Sequence, residues 1–357
     1  MKTLKQLFLF FISFIAILFL SELFIRVSKI ANPSPNEFYN DIGRGRRRDL
    51  SYLFFNEGFG IGRFNKYRYI GESCSPNKET NTIRVALLGD SYIEAFQVFE
   101  RDYFGVIAKK LLESKYPSTK FEFLNFGRSG FDIADMYAYN ELFVKNFNPD
   151  FIIFFVSNED LEPKEVDPLL PKVIAEGDSL LISLDFNQQS IDFYRKTNFL
   201  TQRFCISQMT INGIKKAQEG SIWAVFFDKF YHWLKPNLTD TSSSSRSISS
   251  EYLVHPLTQK IIEQLEANKT IIVNRDSRDL PAAFVKLCLV RGLQYYPLNK
   301  KLDSLKRLGI DPNYWHVTNK YGHWNHNAHS FIANEMFAII NKSIENRALL
   351  NKNAFLQ

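Results

Sequence analysis

The sequence predicts an α/β fold: a three-layer α/β/α sandwich around a parallel, flavodoxin-like sheet of about five strands, preceded by one N-terminal transmembrane helix. Three apolar runs predict the sheet: IRVALL at 83–88, FIIFFV at 151–156 and TIIVN at 270–274. They are short, rich in β-branched and aromatic residues, and followed by turn residues. Continuous apolar runs suit strands buried on both faces, as in a parallel sheet covered by helices.

Taken in order, residues 7–20 are almost wholly apolar, broken only by Ser13, and apolar character resumes at Leu23, Phe24 and Ile25. A helix needs roughly 20 apolar residues to span a bilayer. No small-residue cleavage site follows, so residues 1–30 predict an uncleaved signal anchor rather than a cleaved signal peptide. Arg44, Arg46, Arg47 and Arg48 lie just beyond it and predict a solvated juxtamembrane cluster touching lipid headgroups.

Residues 31–82, with Pro33, Pro35 and several glycines, read as a linker and irregular aromatic lead-in. The domain proper spans 83–345. Helical spacing of apolar residues predicts helices at 104–115 and 136–147 between strands at 83–88, 121–126 (FEFLNF) and 151–156. An insertion covers about 161–256. It holds an aromatic helical stretch at 222–234 and a low-complexity loop, TSSSSRSISS, at 241–250. Beyond it come a strand at 270–274, a helix at 281–291 with Pro281 in its first turn, a strand at 294–297 and a closing helix at 330–344. Residues 346–357 form a tail.

Composition narrows the function classes. The 357 residues are 45% hydrophobic and 23% charged, which fits a globular chain with a full core. The net charge is +6, but no nucleic-acid module accompanies it, so no nucleic-acid partner is expected. Cys74, Cys205 and Cys288 are widely spaced and odd in number, giving neither a disulfide framework nor zinc spacing. Neither metal nor cofactor is expected.

Chemistry concentrates at the strand ends, where ligands bind in a parallel sheet. Gly89-Asp90-Ser91 follows the first strand, Asn125-Phe126-Gly127-Arg128-Ser129-Gly130 the second, and Ser157-Asn158-Glu159-Asp160 the third. His323-Trp324-Asn325 precedes the last helix. Together they offer a hydroxyl, an imidazole and three donors: the N–H of Ser91, the N–H of Gly130 and the amide of Asn158. Acyl transfer needs that set, because the attacking hydroxyl must lose a proton and the developing oxyanion must meet preplaced donors. Asp90 reads as a turn residue beside the serine, Asp132 as a helix cap, and Asp276 as a crevice residue or an orienting group for His323. His326 is an alternative base. The run His323, His326, His329 lacks the i, i+4 spacing of a helical metal pair, and His232, His255 and His316 read as surface or core.

This constellation resembles the SGNH/GDSL hydrolase superfamily, in which four short blocks supply Ser, Gly, Asn and His. Over residues 83–160 and 270–340 the resemblance assigns Ser91 as nucleophile, His323 as base, and Ser91, Gly130 and Asn158 as the oxyanion hole. It implies a serine esterase, and the His-Trp-Asn form is similar to members acting on acylated sugars or polysaccharides. Two departures stand out. The Asp usual two or three residues before the histidine is replaced by Tyr321 and Lys320. Asn319, Asp276 or a backbone carbonyl would have to orient His323, the last leaving a Ser–His dyad. Glu159 follows Asn158 where the family has Asp.

The expected function is therefore a membrane-anchored carboxylic ester hydrolase acting on a small-molecule or glycan ester, such as an O-acetyl group. An O-acyltransferase using the same Ser–His pair and a non-catalytic binding protein are the alternatives. An exported catalytic domain suits a tethered hydrolase, although the basic residues beyond the apolar segment argue the other way.

Overall fold

The computed structural model describes residues 2–28, 30–164, 167–218 and 254–354. The aromatic stretch at 222–234, with His232, and the loop at 241–250 lie outside the described residues. The chain divides into two compact units, Met1–Asn36 with Ile191–Ser250, and Glu37–Ser190 with Glu251–Gln357.

The larger unit is built on five parallel strands: β1 (Thr82–Leu88), β2 (Lys120–Asn125), β3 (Phe151–Val156), β4 (Thr270–Asn274) and β5 (Gln294–Tyr296). Their order across the sheet is β5-β4-β3-β1-β2, the flavodoxin-like order expected. Successive side chains on a strand point to opposite faces, and the core divides accordingly. Ala86, Leu88, Ile152, Phe154 and Ile272 face one cluster with the helices Ile133–Leu142, Pro256–Gln264 and Ala282–Val290. Val85, Leu87, Ile153, Phe155 and Val273 face another with Phe104–Lys115, Leu298–Arg307 and His326–Ala354. These are the three layers. All six residues of β3 are buried, which explains the absence of polar alternation in FIIFFV.

The lead-in is more ordered than its composition suggests. Asn36–Tyr39 pairs with Gly43–Arg46, and Ser51–Phe54 pairs antiparallel with Gly60–Arg63. Two of the four arginines expected at lipid headgroups are instead paired within this unit. Arg46 bonds the buried Glu94 through both nitrogens of its fork, each at 2.7 Å, and Arg44 pairs with Asp167 at 2.6 Å. The insertion also carries structure that its sequence pattern did not announce: a hairpin of Lys172–Glu176 and Ser179–Ser183, and helices Gln188–Thr201 and Cys205–Gln218. The closing helix begins at His326 and runs to Ala354, through most of the expected tail. All three cysteines are buried free thiols.

In the smaller unit, Lys2–Ser28 forms one helix of 27 residues. Most of its apolar side chains between Leu4 and Val27 are exposed, Ile25 being buried, and it is long and apolar enough to cross a membrane.

Candidate active site

Ser91 sits where the fold places ligands, just beyond the carboxyl end of β1. Asp90 caps the short helix Ser91–Glu94 by accepting the N–H of Tyr92 at 2.9 Å. With Tyr92 N–H satisfied there, the helix start is fixed and Ser91 is its first residue. The Ser91 hydroxyl lies 2.8 Å from Nε2 of His323, which comes from the loop before the closing helix. The rings of Tyr92 and His323 are 4.7 Å apart, so the imidazole rests against the residue next to the serine.

The other face of the imidazole was not anticipated. Nδ1 of His323 is hydrogen-bonded to the carboxylate of Glu57, at the tip of the ribbon formed by Ser51–Phe54 and Gly60–Arg63. Two glycines permit the approach. A Cβ on Gly322 would lie 2.6 Å from Cγ of Glu57, and one on Gly58 would lie 2.5 Å from the Trp315 ring. Trp315 in turn donates its indole N–H to the His323 carbonyl at 2.9 Å, and Thr318 donates to the Glu57 carbonyl. Burial alone would push the Glu57 carboxyl up. The hydrogen bond and charge of His323, with backbone N–H bonds, outweigh it and hold the group below its ordinary 4.5.

The side chains expected to orient His323, Asn319 and Asp276, are engaged elsewhere, and so is the turn residue Asp90. Asp90 pairs with Arg275 at 2.6 Å; burial, only partly offset by that arginine, keeps its carboxyl raised. Asn319 accepts from the Tyr314 hydroxyl. Asp276 accepts the backbone N–H of Asn158 at 2.9 Å and its side-chain amide at 2.7 Å. Burial would raise Asp276, but these two bonds lead the opposing effects and hold it low. The second amide hydrogen of Asn158 faces the Asp279 carbonyl at 3.3 Å. Both donors of the expected oxyanion amide are thus occupied in this arrangement.

The glycine turn after β2 is fastened to the serine helix. Arg128 N–H donates to the Gly89 carbonyl at 2.8 Å. Ser129 bonds Glu94 through its N–H at 2.9 Å and through its hydroxyl. Glu94 lies in the same short helix as Ser91 and is held from behind by Arg46. Gly130 has φ +86, with open space around it, a conformation that favours glycine. The N–H groups of Ser91 and Gly130 have no protein acceptor among the described residues.

Arg275, at the end of β4, ties three strand ends together through Asp90, Ser157 at 2.9 Å and Asp160 at 3.0 Å. Its guanidinium also covers the Tyr92 ring at 4.7 Å. Next to it opens a cleft of ≈ 330 Å³ whose lining includes Tyr92, Arg275, Asp276, Asn313, Tyr321 and Trp324.

Among the described residues, the other histidines do not converge on Ser91. His326 Nδ1 is 3.9 Å from Asp102. His329 is buried and accepts the Phe104 N–H at 3.3 Å. His255 caps the helix Pro256–Gln264, and His316 packs on Tyr314.

No family model matches the chain, and no curated protein matches it. Among solved structures it is similar to a two-domain esterase active on acetylated mannans, with 11% identity, 73% of this chain and 50% of that chain covered, and a TM-score of 0.36. This chain therefore spans half the length of that protein. It is also similar to an acetyl xylan esterase, with 14% identity, 72% and 100% covered, and a TM-score of 0.33. A third is an alpha/beta hydrolase enzyme from the metagenome of Lake Arreo, Spain, with 12% identity, 72% and 94% covered, and a TM-score of 0.37.

Proposed function

We propose that this chain is a membrane-anchored serine hydrolase of the SGNH/GDSL type that cleaves a carboxylic ester. One observation carries the reading: the hydrogen-bonded series Ser91 Oγ, His323 Nε2, His323 Nδ1, Glu57 carboxylate. A hydroxyl, a base and an anion in that sequence are what nucleophilic attack at neutral pH requires.

In this reading the Ser91 hydroxyl attacks the ester carbonyl as Nε2 of His323 takes its proton. The Glu57 carboxylate fixes the tautomer that leaves Nε2 free and stabilises the imidazolium that forms. The oxyanion is met by the N–H groups of Ser91 and Gly130, each worth about 3 to 4 kcal/mol in such a role. Asn158 joins them when its amide exchanges Asp276 for the oxyanion. His323 returns the proton to the departing alcohol, leaving an acyl-serine. A water deprotonated by His323 then releases the acid.

The adjoining cleft supports a hydrophilic alcohol. It offers donors from Arg275 and Asn313, acceptors from Asp276 and Asp303, and the rings of Tyr92 and Tyr321. That mixture suits a polyhydroxylated group better than a long acyl chain, and an O-acetyl group on a cell-surface glycan fits it. The catalytic unit then stands outside the membrane with its substrate.

Purified wild type and Ser91→Ala tested on p-nitrophenyl acetate and on an O-acetylated polysaccharide check the reading. Acetate release by wild type alone supports it. Equal rates for the two proteins contradict it.

A further inference from the structure

Besides its anchor, the smaller unit carries a second apolar surface. Glu22, buried near the end of the N-terminal helix, accepts the N–H of Cys205 at 3.0 Å and of Ile206 at 2.9 Å. It thereby caps the helix Cys205–Gln218. Arg26 bonds Glu22 at 2.6 Å and donates to the Arg203 carbonyl. At 1.5 Å per residue, Glu22 lies about 28 Å along the helix from Thr3, close to the thickness of a bilayer's hydrocarbon core. The helix it caps therefore starts at the depth of the lipid headgroups.

The helices Gln188–Thr201 and Cys205–Gln218 keep large apolar groups outside. Phe193 is 70% exposed, Leu200 53% and Ile214 52%. Phe193 and Leu200, seven positions apart, share one face of their helix, opposite the buried Ile191. Cations accompany them. Lys196 and Arg203 are exposed, and the Arg203 guanidinium lies 3.8 Å from the centre of the Phe199 ring. An apolar face edged by cations is the signature of a helix lying in a membrane interface. Continuity with the anchor favours lipid over a protein as the covering layer.

We infer that these two helices form an interfacial membrane contact, seated among acyl chains and anionic headgroups beside the spanning helix. The inference rests on the N-terminal helix being a membrane anchor. It goes beyond anchoring, because the helix pair holds its own surface on the bilayer and Glu22 sets its depth.

The test uses the full chain in vesicles of phosphatidylethanolamine and phosphatidylglycerol. Spin labels go on cysteines introduced one at a time as Phe193→Cys, Leu200→Cys and Ile214→Cys, as Glu79→Cys for a water-exposed reference and as Phe10→Cys in the anchor, with the parent chain and its three buried thiols as the labelling background. Power saturation compares collisions with oxygen, which enriches in lipid, and with a water-soluble nickel chelate. The inference expects oxygen to dominate at 193, 200 and 214 and nickel at 79. Nickel access at the three sites equal to that at 79 would overturn it. So would exclusion of both reagents, which means that protein covers the face. Lipid access at Phe10→Cys with water access at the helix pair overturns the interfacial contact alone; water access at both sinks the anchor too.

Discussion

The Glu57 carboxylate meets Nδ1 of His323 although 266 positions separate the two residues. In the proposed mechanism the contact makes a ribbon in the lead-in part of the catalytic arrangement, in place of an acid just before the histidine.

Glu57→Gln keeps the shape but removes the charge and lets the imidazole adopt the wrong tautomer. In the proposed mechanism kcat for p-nitrophenyl acetate falls by about 10³- to 10⁴-fold. KM stays near the wild-type value, since Glu57 does not touch substrate. Steady-state kinetics on the two proteins check this, and a loss under tenfold would return the site to a Ser–His dyad.

Gly322→Ala tests the same contact by crowding it. The new methyl would meet Cγ of Glu57 at 2.6 Å and Cβ at 2.8 Å. One of the partners must move, and a misplacement of about 1 Å costs on the order of 10²-fold in rate. Thermal melting should change far less than kcat, because the strain is confined to one loop contact.

Glu94→Gln removes the anion that holds both Arg46 and the Ser129 turn. The Arg46 side chain is 11% exposed and that of Glu94 only 1%. Breaking a buried pair from one side costs about 3 to 5 kcal/mol. Urea unfolding should report that loss, and activity should fall with it because the Gly130 turn loses its tether.

Two carboxylates give opposite pH dependence. Glu57 is held low in the folded state, so its contribution to stability is present above about pH 4.5 and fades as pH falls through the folded value. Asp135 is pushed up to about 7, first by burial and then by the neighbouring Asp132 charge. The folded state therefore binds its proton more tightly, and Asp135 destabilises as pH rises from about 4 to 7. Glu57→Gln should flatten the acid side of a stability profile, and Asp135→Asn the side between pH 4 and 7, both read from urea midpoints.

The sheet was legible because its central strands β1, β3 and β4 are buried on both faces and so read as largely apolar runs. The meeting of Ser91 and His323 was legible from the place of one at a strand end and of the other before the closing helix. Glu57 was not. Its partnership depends on a ribbon whose strands, SYLF and GIGR, are too short to signal themselves, and on two glycines that matter only once the chain has folded. The one available signal was negative: with Tyr321 and Lys320 before His323, any orienting group had to come from elsewhere. Arg46 misled for a related reason, since a basic run beside an apolar segment gives no sign of a buried Glu94 waiting for it.

The proposed chemistry depends on the nucleophilicity of Ser91. Intact-mass analysis after exposure to a fluorophosphonate probe measures it directly. One adduct per chain is expected, mapped to Ser91, absent in Ser91→Ala and much slower to form in His323→Ala. No adduct on wild type, or the same adduct on Ser91→Ala, would contradict it.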